Sequence, residues 1–381
     1  MGKYMIIVFA VLLLLGLYLI IKLRRIMSFC RSHIRMKTAR FVALTIALLV
    51  IIYCIMKEEM AILFILHFTI ASVILDILLW CEQIIEKAMR KQKKEERKVS
   101  AAVRRLCGCG LLPFVISVAM FGYGYYNMAH IVRTDYTIET DLIQEDGYRI
   151  LLITDTHYGT IQDTKLLKDR VQEFNRLEAD LVILGGDMTE EGTSKAAMEE
   201  LFQVLGQIES RYGIYYVYGN HDKQTYSGNP SYTQAELEQT ITKNGIVILE
   251  DEMVEIGEEL ILAGRVDASW SRRAERKSME EILGGADRSR YIIVADHQPV
   301  MADENDAAGV DLMLSGHMHA GQIWPTGIIN TLKGDLNYGF FEEGDCDIIV
   351  SSGFAGWGFP IRTQGHSEYA VINLVKSENS D

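Results

Sequence analysis

The chain has 381 residues, and 51 Asp+Glu against 38 Lys+Arg give it a net charge of −13. Residues 1–132 carry 18 Lys+Arg and 7 Asp+Glu, a net of +11, which leaves 20 and 44, a net of −24, for residues 133–381. Such a length points to at least two units, the acidic second part argues against nucleic acid held through its phosphates, and six cysteines, five of them before residue 110, make no disulfide framework.

In chain order, residues 5–21, 41–56, 60–81 and 111–132 are four apolar runs, each read as a membrane-spanning helix in an all-α region of about four helices. The basic cluster at Lys22, Arg24 and Arg25 follows the first run, which disfavours a cleaved signal peptide. Loop 22–40 has seven Lys+Arg and loop 82–107 has nine, so both belong on the cytoplasmic side. With four spans the chain is a multi-pass cell-membrane protein whose part beyond residue 132 is extracytoplasmic. Tyr123, Tyr125 and Tyr126 suit the membrane–water interface, and His67 and Asp76 read as polar contacts between helices. Residues 133–146 read as a linker.

From residue 147 the pattern changes to short apolar runs alternating with amphipathic helices, which predicts an α/β domain over 147–376 and a tail over 377–381. Helical faces are visible from Leu166 to Leu177 and from Ser194 to Ile208. Thr233 and Glu236 form a capping box, and residues 253–263 read as a hairpin turning at Gly257. Five apolar runs end in polar residues of one kind: Asp155-Thr156-His157, Gly185-Gly186-Asp187, Gly219-Asn220-His221-Asp222, Asp296-His297 and Gly316-His317-Met318-His319. Five of the nine histidines fall at these strand ends, where α/β proteins place their chemistry.

Asp155, His157, Asp187, Asn220, His297, His317 and His319 are hard and borderline ligands without a thiolate. They suit a pair of divalent transition metals better than structural zinc. If one carboxylate bridges, seven residues give each of two metals four ligands. Two metals ~3.5–4 Å apart can clamp a phosphoryl group and acidify the water between them.

The ordered set D-x-H, G-D, G-N-H-D, a solitary H and G-H-x-H resembles the calcineurin-like metallophosphoesterases over residues 147–376. The resemblance implies a four-layer α-β-β-α sandwich with mixed sheets and two divalent ions drawn from Mn, Fe, Zn or Ni. One ion would be held by Asp155, His157, Asp187 and His319, the other by Asp187, Asn220, His297 and His317. It also implies that His221 serves as general acid over the scissile phosphate, oriented by Asp222. The segments 321–325 and 356–362 resemble the membrane-anchored branch, which includes transmembrane proteins with a metallophosphoesterase domain. Some relatives of that branch cleave lipid-linked nucleotide-sugar pyrophosphates. Ala320 and Gly365-His366-Ser367-Glu368 depart from the usual glycine and proline-glutamate of many relatives. Arg362 is a candidate phosphate contact, or else a surface ion-pair partner. Trp357, between two glycines, is a candidate substrate platform, with Trp324 and Phe359 as further rim residues.

The expected function is hydrolysis of a phosphodiester, phosphomonoester or pyrophosphate, in one reading on a lipid-linked substrate, by a metal-bridging hydroxide. The alternative is a membrane sensor or scaffold whose phosphoesterase domain only binds metal. All seven ligands are present, which favours the enzyme.

Overall fold

The computed structural model of the chain describes residues 58–91, 101–144, 147–159, 164–270 and 276–377, with scattered positions between 16 and 28. It divides into two compact units, Met1–Tyr123 and Gly124–Asp381.

In the first unit, helix α1 spans Glu58–Lys91 and α2 spans Ala101–Gly108; α3, Leu111–Ala129, runs on into the second unit. Among the described residues one helix, over Met60–Ala88, is long and apolar enough to cross a membrane. The expectation of four is corrected to that extent. The run 41–56 lies outside the described residues, as do 5–15 and Leu19 of the run 5–21. The run 111–132 stays helical only to Ala129, and Tyr123, Tyr125, Tyr126 and Asn127 dilute its apolar character. Helix α1 outlasts the expected 60–81 because Glu82–Lys91 is rich in helix formers. Asp76 accepts hydrogen bonds from Tyr18 (2.7 Å) and Lys22 (2.8 Å), an interhelical polar contact of the kind expected.

The second unit is built on two six-stranded mixed sheets. The first contains β1 (Ile131–Thr140), β2 (Tyr148–Ile153), β3 (Leu181–Leu184), β4 (Ile214–Tyr216) and β5 (Ile246–Ile248), interleaved in sequence with helices α4 (Lys165–Asn175), α5 (Lys195–Leu205) and α6 (Gln234–Lys243). The second contains β6 (Glu252–Ile256), β7 (Leu260–Gly264), β8 (Tyr291–Ala295), β9 (Leu312–Ser315), β10 (Gly339–Glu343) and β11 (Cys346–Val350), with helices α7 (Met279–Ile282), α8 (Ala302–Ala307) and α9 (Thr326–Lys333). The last strand, β12 (Ser367–Lys376), returns to the first sheet, whose order is β1-β12-β2-β3-β4-β5; the second runs β10-β11-β9-β8-β7-β6. The hairpin at 253–263 is β6 and β7, turning at Gly257 with φ of 60°.

The unbroken aliphatic runs follow from burial on both faces. In β2, Ile150 and Leu152 point into a cluster that also holds Leu181 and Ile183 of β3 and Leu260, Ile293 and Leu314 of the other sheet. Their neighbours Leu151 and Ile153 point the other way, onto Phe174 of α4, Phe202 of α5 and Ile241 of α6. The second sheet repeats the arrangement, with Ile292 and Val294 against Met279 and Ile282 of α7. β2, β3 and β4 are parallel, as are β8 and β9, so the carboxyl ends that carry the candidate ligands share an edge within each sheet.

The stretch 133–146 is not the expected linker. Most of it is β1, which begins one residue after α3 ends and pairs in parallel with β12 from Ile131–Ser367 to Thr140–Lys376. Its partner lies more than 230 residues away, so no local pattern announces the pairing. Ile131 and Ile138 are buried by it. A fragment starting at residue 147 should therefore unfold at lower denaturant than one starting at residue 124. Losing Ile131 and Ile138 alone costs on the order of 3–6 kcal/mol. Equal midpoints for the two fragments would show that β1 is an accessory strand.

Candidate metal centre

Asp155 and His157 follow β2, Asp187 follows β3, Asn220 follows β4, His297 follows β8, and His317 and His319 follow β9. These loops are tightly bent. Asp155, His157, Asp187, His317 and His319 all take positive φ, between 40° and 69°. Non-glycine residues avoid that region, at a cost of about 1–3 kcal/mol each, unless the surroundings hold them there. Backbone bonds between neighbouring loops supply the hold, from Asp155 N to Gly186 O (2.9 Å) and from His157 N to Asp187 O (3.1 Å). Gly186 is needed where the sheets approach, since a Cβ there would lie 2.6 Å from the His297 ring.

The side chains gather in two groups, Asp155–His157–His319 and Asp187–His297–His317, each with ligand atoms within 4.8 Å of one another. His157 Nε2 lies 3.4 Å from His319 Nε2, and His297 Nε2 lies 3.3 Å from His317 Nδ1. The outer nitrogens are committed elsewhere. Nδ1 of His157 faces Glu190 (3.2 Å), that of His297 faces the Gly185 carbonyl (2.9 Å), and that of His319 faces the Ala355 carbonyl (3.2 Å). An N–H donated outward leaves a lone pair on the inner nitrogen, which is the arrangement of a ligating imidazole. Burial drives the His319 imidazole down to about 3, so it stays neutral. Burial pushes the Asp155 carboxyl up, but the surrounding imidazoles, His297 among them, outweigh it and hold the carboxyl below the usual carboxylate range. Asn220 is buried, and its Oδ1 has no hydrogen-bond partner. A buried amide oxygen left over is costly unless a cation takes it. The donor set therefore fits divalent metal.

His221 sits beside these groups. Its backbone N–H donates to Asp187 Oδ1 (2.9 Å), and its Nδ1 lies 2.6 Å from Glu191 Oε2. Burial would lower its proton affinity, but Glu191 and Asp187 outweigh that and raise it. Asp222, expected to orient His221, does something else. Its carboxylate accepts backbone N–H bonds from Asp187 (2.8 Å), Thr189 (2.9 Å) and Gly219 (2.6 Å), tying the loops after β3 and β4 together. Burial, then the charge of Asp187, raises the Asp222 carboxyl to about 6. The partner of His221 is thus Glu191, four residues after Asp187, which the sequence reading missed.

Trp357, the candidate platform, stands beside His221. The ring is half exposed and stacks on His221 at 5.4 Å and 29°, while Tyr226 stands 5.4 Å from the same imidazole. Arg362 is not a phosphate contact or a surface ion pair. It is fully buried, and it donates to the carbonyls of His319 (2.8 Å), Ser352 (2.9 Å) and Ala355 (2.7 Å). Burial lowers its guanidinium to about 10. It props the His319 loop from behind. Ala320, next in that loop, takes φ of 51°, and its Cβ would stand 2.6 Å from any Cβ added at Gly365. The two departures noted in the sequence therefore touch.

Replacing Arg362 by Lys should remove bonds to at least two of those carbonyls and lower stability by on the order of 3 kcal/mol. The denaturation midpoint reads this directly. A variant with the parental midpoint and only a weakened substrate affinity would return Arg362 to the substrate.

A sequence model of the calcineurin-like phosphoesterase family matches residues 148–321, a span that contains all seven candidate ligands and His221. An uncharacterized metallophosphoesterase of Helicobacter pylori strain J99 is 30% identical over 265 residues, covering 68% of this chain and 69% of its own. A transmembrane protein with metallophosphoesterase domain from Danio rerio is 27% identical over 304 residues, 75% of this chain and 66% of its own. An uncharacterized metallophosphoesterase of Aquifex aeolicus is 28% identical over 272 residues, 69% and 99% of the two chains. With the ordered ligands on the carboxyl ends of two mixed sheets, these likenesses make the chain a member of the calcineurin-like metallophosphoesterase family, and hence a metal-dependent phosphohydrolase.

Proposed function

We propose that two divalent cations sit side by side in this site, one held by Asp155, His157, Asp187 and His319, the other by Asp187, Asn220, His297 and His317. Mn, Fe, Zn and Ni all suit such ligands. The observation that carries the reading is the pair of inward imidazole couples, with separations of 3.4 and 3.3 Å, and Asp187 Oδ2 3.1 Å from His297. Bound there, the metals would polarise the phosphoryl oxygens and make water acidic near neutral pH. The chain supplies the rest. Glu191 keeps a proton on His221, whose Nε2 is left to protonate or hydrogen-bond the departing oxygen of the ester. Trp357 and Tyr226 wall the side of that imidazole where the leaving group would lie. The clusters on both faces of each sheet support the four-layer α-β-β-α reading.

We also infer that the substrate is a phosphodiester, monoester or pyrophosphate borne on a lipid. The boundary between the two units falls within α3, with no separate linker between them. The first eleven residues of α3, Leu111–Phe121, are apolar but for Ser117, and residues 82–107 before it hold nine Lys+Arg. That charge supports a multi-pass chain with α3 leading outward and an extracytoplasmic catalytic domain.

Asp187→Asn should lower both bound metal and turnover of the full chain. His221→Ala should keep its metal and lose about 10²–10⁴-fold in rate. Metal content and rate are measured together, with Mn, Fe, Zn and Ni supplied in turn. Loss of metal from His221→Ala, with Asp187→Asn still loaded, would reverse the roles.

The orientation has its own check. A periplasm-dependent alkaline phosphatase fused after residue 381 should be active, and one inserted near residue 95 should be silent. The opposite pattern would put the catalytic domain in the cytoplasm.

A further inference from the structure

Helix α9, directly after the His319 loop, shows its apolar side to solvent. Ile328 and Ile329 are about half exposed and Leu332 is 81% exposed, at positions i, i+1 and i+4 of one face. An exposed aliphatic cluster of this kind marks a contact surface. Three further observations bear on what covers it.

The first is where α9 is fastened. The segment leading into it is zipped to the loop that carries Trp357. Gln322 accepts from Trp357 N (2.8 Å) and donates to the carbonyls of Phe359 and Ile361 (3.1 Å each). Trp324 N donates to Thr363 Oγ1 (2.9 Å), and Gly327 N to Gln364 Oε1 (3.1 Å). That loop is zipped in turn to the last turns of α3. Arg362 N donates to Gly124 O (3.0 Å), and Asn127 Nδ2 donates to the carbonyls of Arg362 (3.0 Å) and Gly365 (2.7 Å). Helix α9 is thus joined, by two short rows of hydrogen bonds, to the end of an apolar helix.

The second is composition. Residues 133–381 hold 44 Asp+Glu, yet none falls in 312–334 or in 348–367, the two segments that carry α9 and the Trp357 loop. The only strongly charged side chains there are Lys333 and the buried Arg362. The third is aromatic. Tyr125 and Tyr126 at the end of α3, and Trp357, are all exposed rings of the kind that settle at a membrane interface.

From these we propose that the apolar face of α9, with Trp357 and the end of α3, lies in the outer part of a lipid monolayer and seats the mouth of the site on the membrane. The partner is the acyl region of a lipid, entered without charge attraction, because a domain of net −24 would be repelled by an anionic surface. This rests on the membrane reading of α3. It goes beyond that reading by naming a second contact, in the catalytic unit itself, through which a lipid-borne ester reaches His221 without leaving the bilayer.

The test uses the full chain in phosphatidylcholine vesicles. A cysteine is introduced by Leu332→Cys, or by Val247→Cys on the exposed side of β5 as control, and labelled with bimane; signal from the unsubstituted chain is subtracted. Vesicles with and without a phosphatidylcholine carrying a doxyl quencher high on its acyl chain are compared. The Leu332 label should lose most of its fluorescence to the quencher and the Val247 label almost none. If the chain floats with the vesicles but the Leu332 label stays bright, α9 faces water or a second copy, and this inference fails while the anchor stands. If the chain does not float with vesicles, the membrane reading itself fails. Ile328→Ser combined with Leu332→Ser should leave hydrolysis of bis-(p-nitrophenyl) phosphate unchanged while slowing that of a vesicle-borne phosphodiester several-fold. Equal slowing of both would assign α9 to the fold instead.

Discussion

The centre depends on backbone held where it would not go by itself. Five of the seven candidate ligands sit at positive φ, in loops with almost no freedom to relax. At about 1–3 kcal/mol each this strain rivals the net stability of many domains. It is offset by the apolar cluster between the sheets and by the bonds that lace loop to loop. Asp222 gathers three backbone N–H groups from the turns after β3 and β4. Arg362 gathers three carbonyls behind His319. One is a buried anion among donors and the other a buried cation among acceptors. Each neutralises the local surplus that a sharply turned loop creates.

The second consequence of that lacing is electrostatic. Three imidazoles are turned by a carbonyl or a carboxylate on their outer side, so their inner nitrogens face one another across short gaps. Without a cation such lone pairs repel, and a buried Asn220 oxygen adds to the surplus of acceptors. The fold therefore concentrates electron-rich atoms at one point, and the same concentration is what a divalent ion needs.

Much of this was legible in the sequence because β2, β3, β8 and β9 are buried on both sides. Three or four unbroken apolar residues make them visible, and a candidate ligand two or three residues beyond each end stands in a predictable place. What was not legible depends on pairs that only tertiary structure creates. Asp222 follows His221 directly and was read as its partner, yet the turn after Asn220 aims the carboxylate back at Asp187 and Thr189. Glu191 was hidden beside Glu190, and nothing in the spacing says which acid meets which imidazole. Arg362 looked like a ligand for phosphate because its burial cannot be read from a loop of glycines. β1 was lost because its apolar start merges with the run 111–132 and its partner is the last strand of the chain.

Ala320 and Gly365 show how such a site constrains its own history. Ala320 holds a left-handed turn next to a candidate ligand, and its methyl group occupies the space that a side chain at 365 would need. A side chain at 365 would press on that methyl group, and the backbone there, at φ of 66°, by itself excludes proline. With glycine at 320 the crowding would go, but the left-handed backbone at 365 would still favour glycine. Position 365 therefore keeps glycine for two reasons, its own left-handed backbone and the neighbouring methyl group. A change at 320 alone lifts only the second of these restraints, so the pair is locked more tightly from one side than from the other.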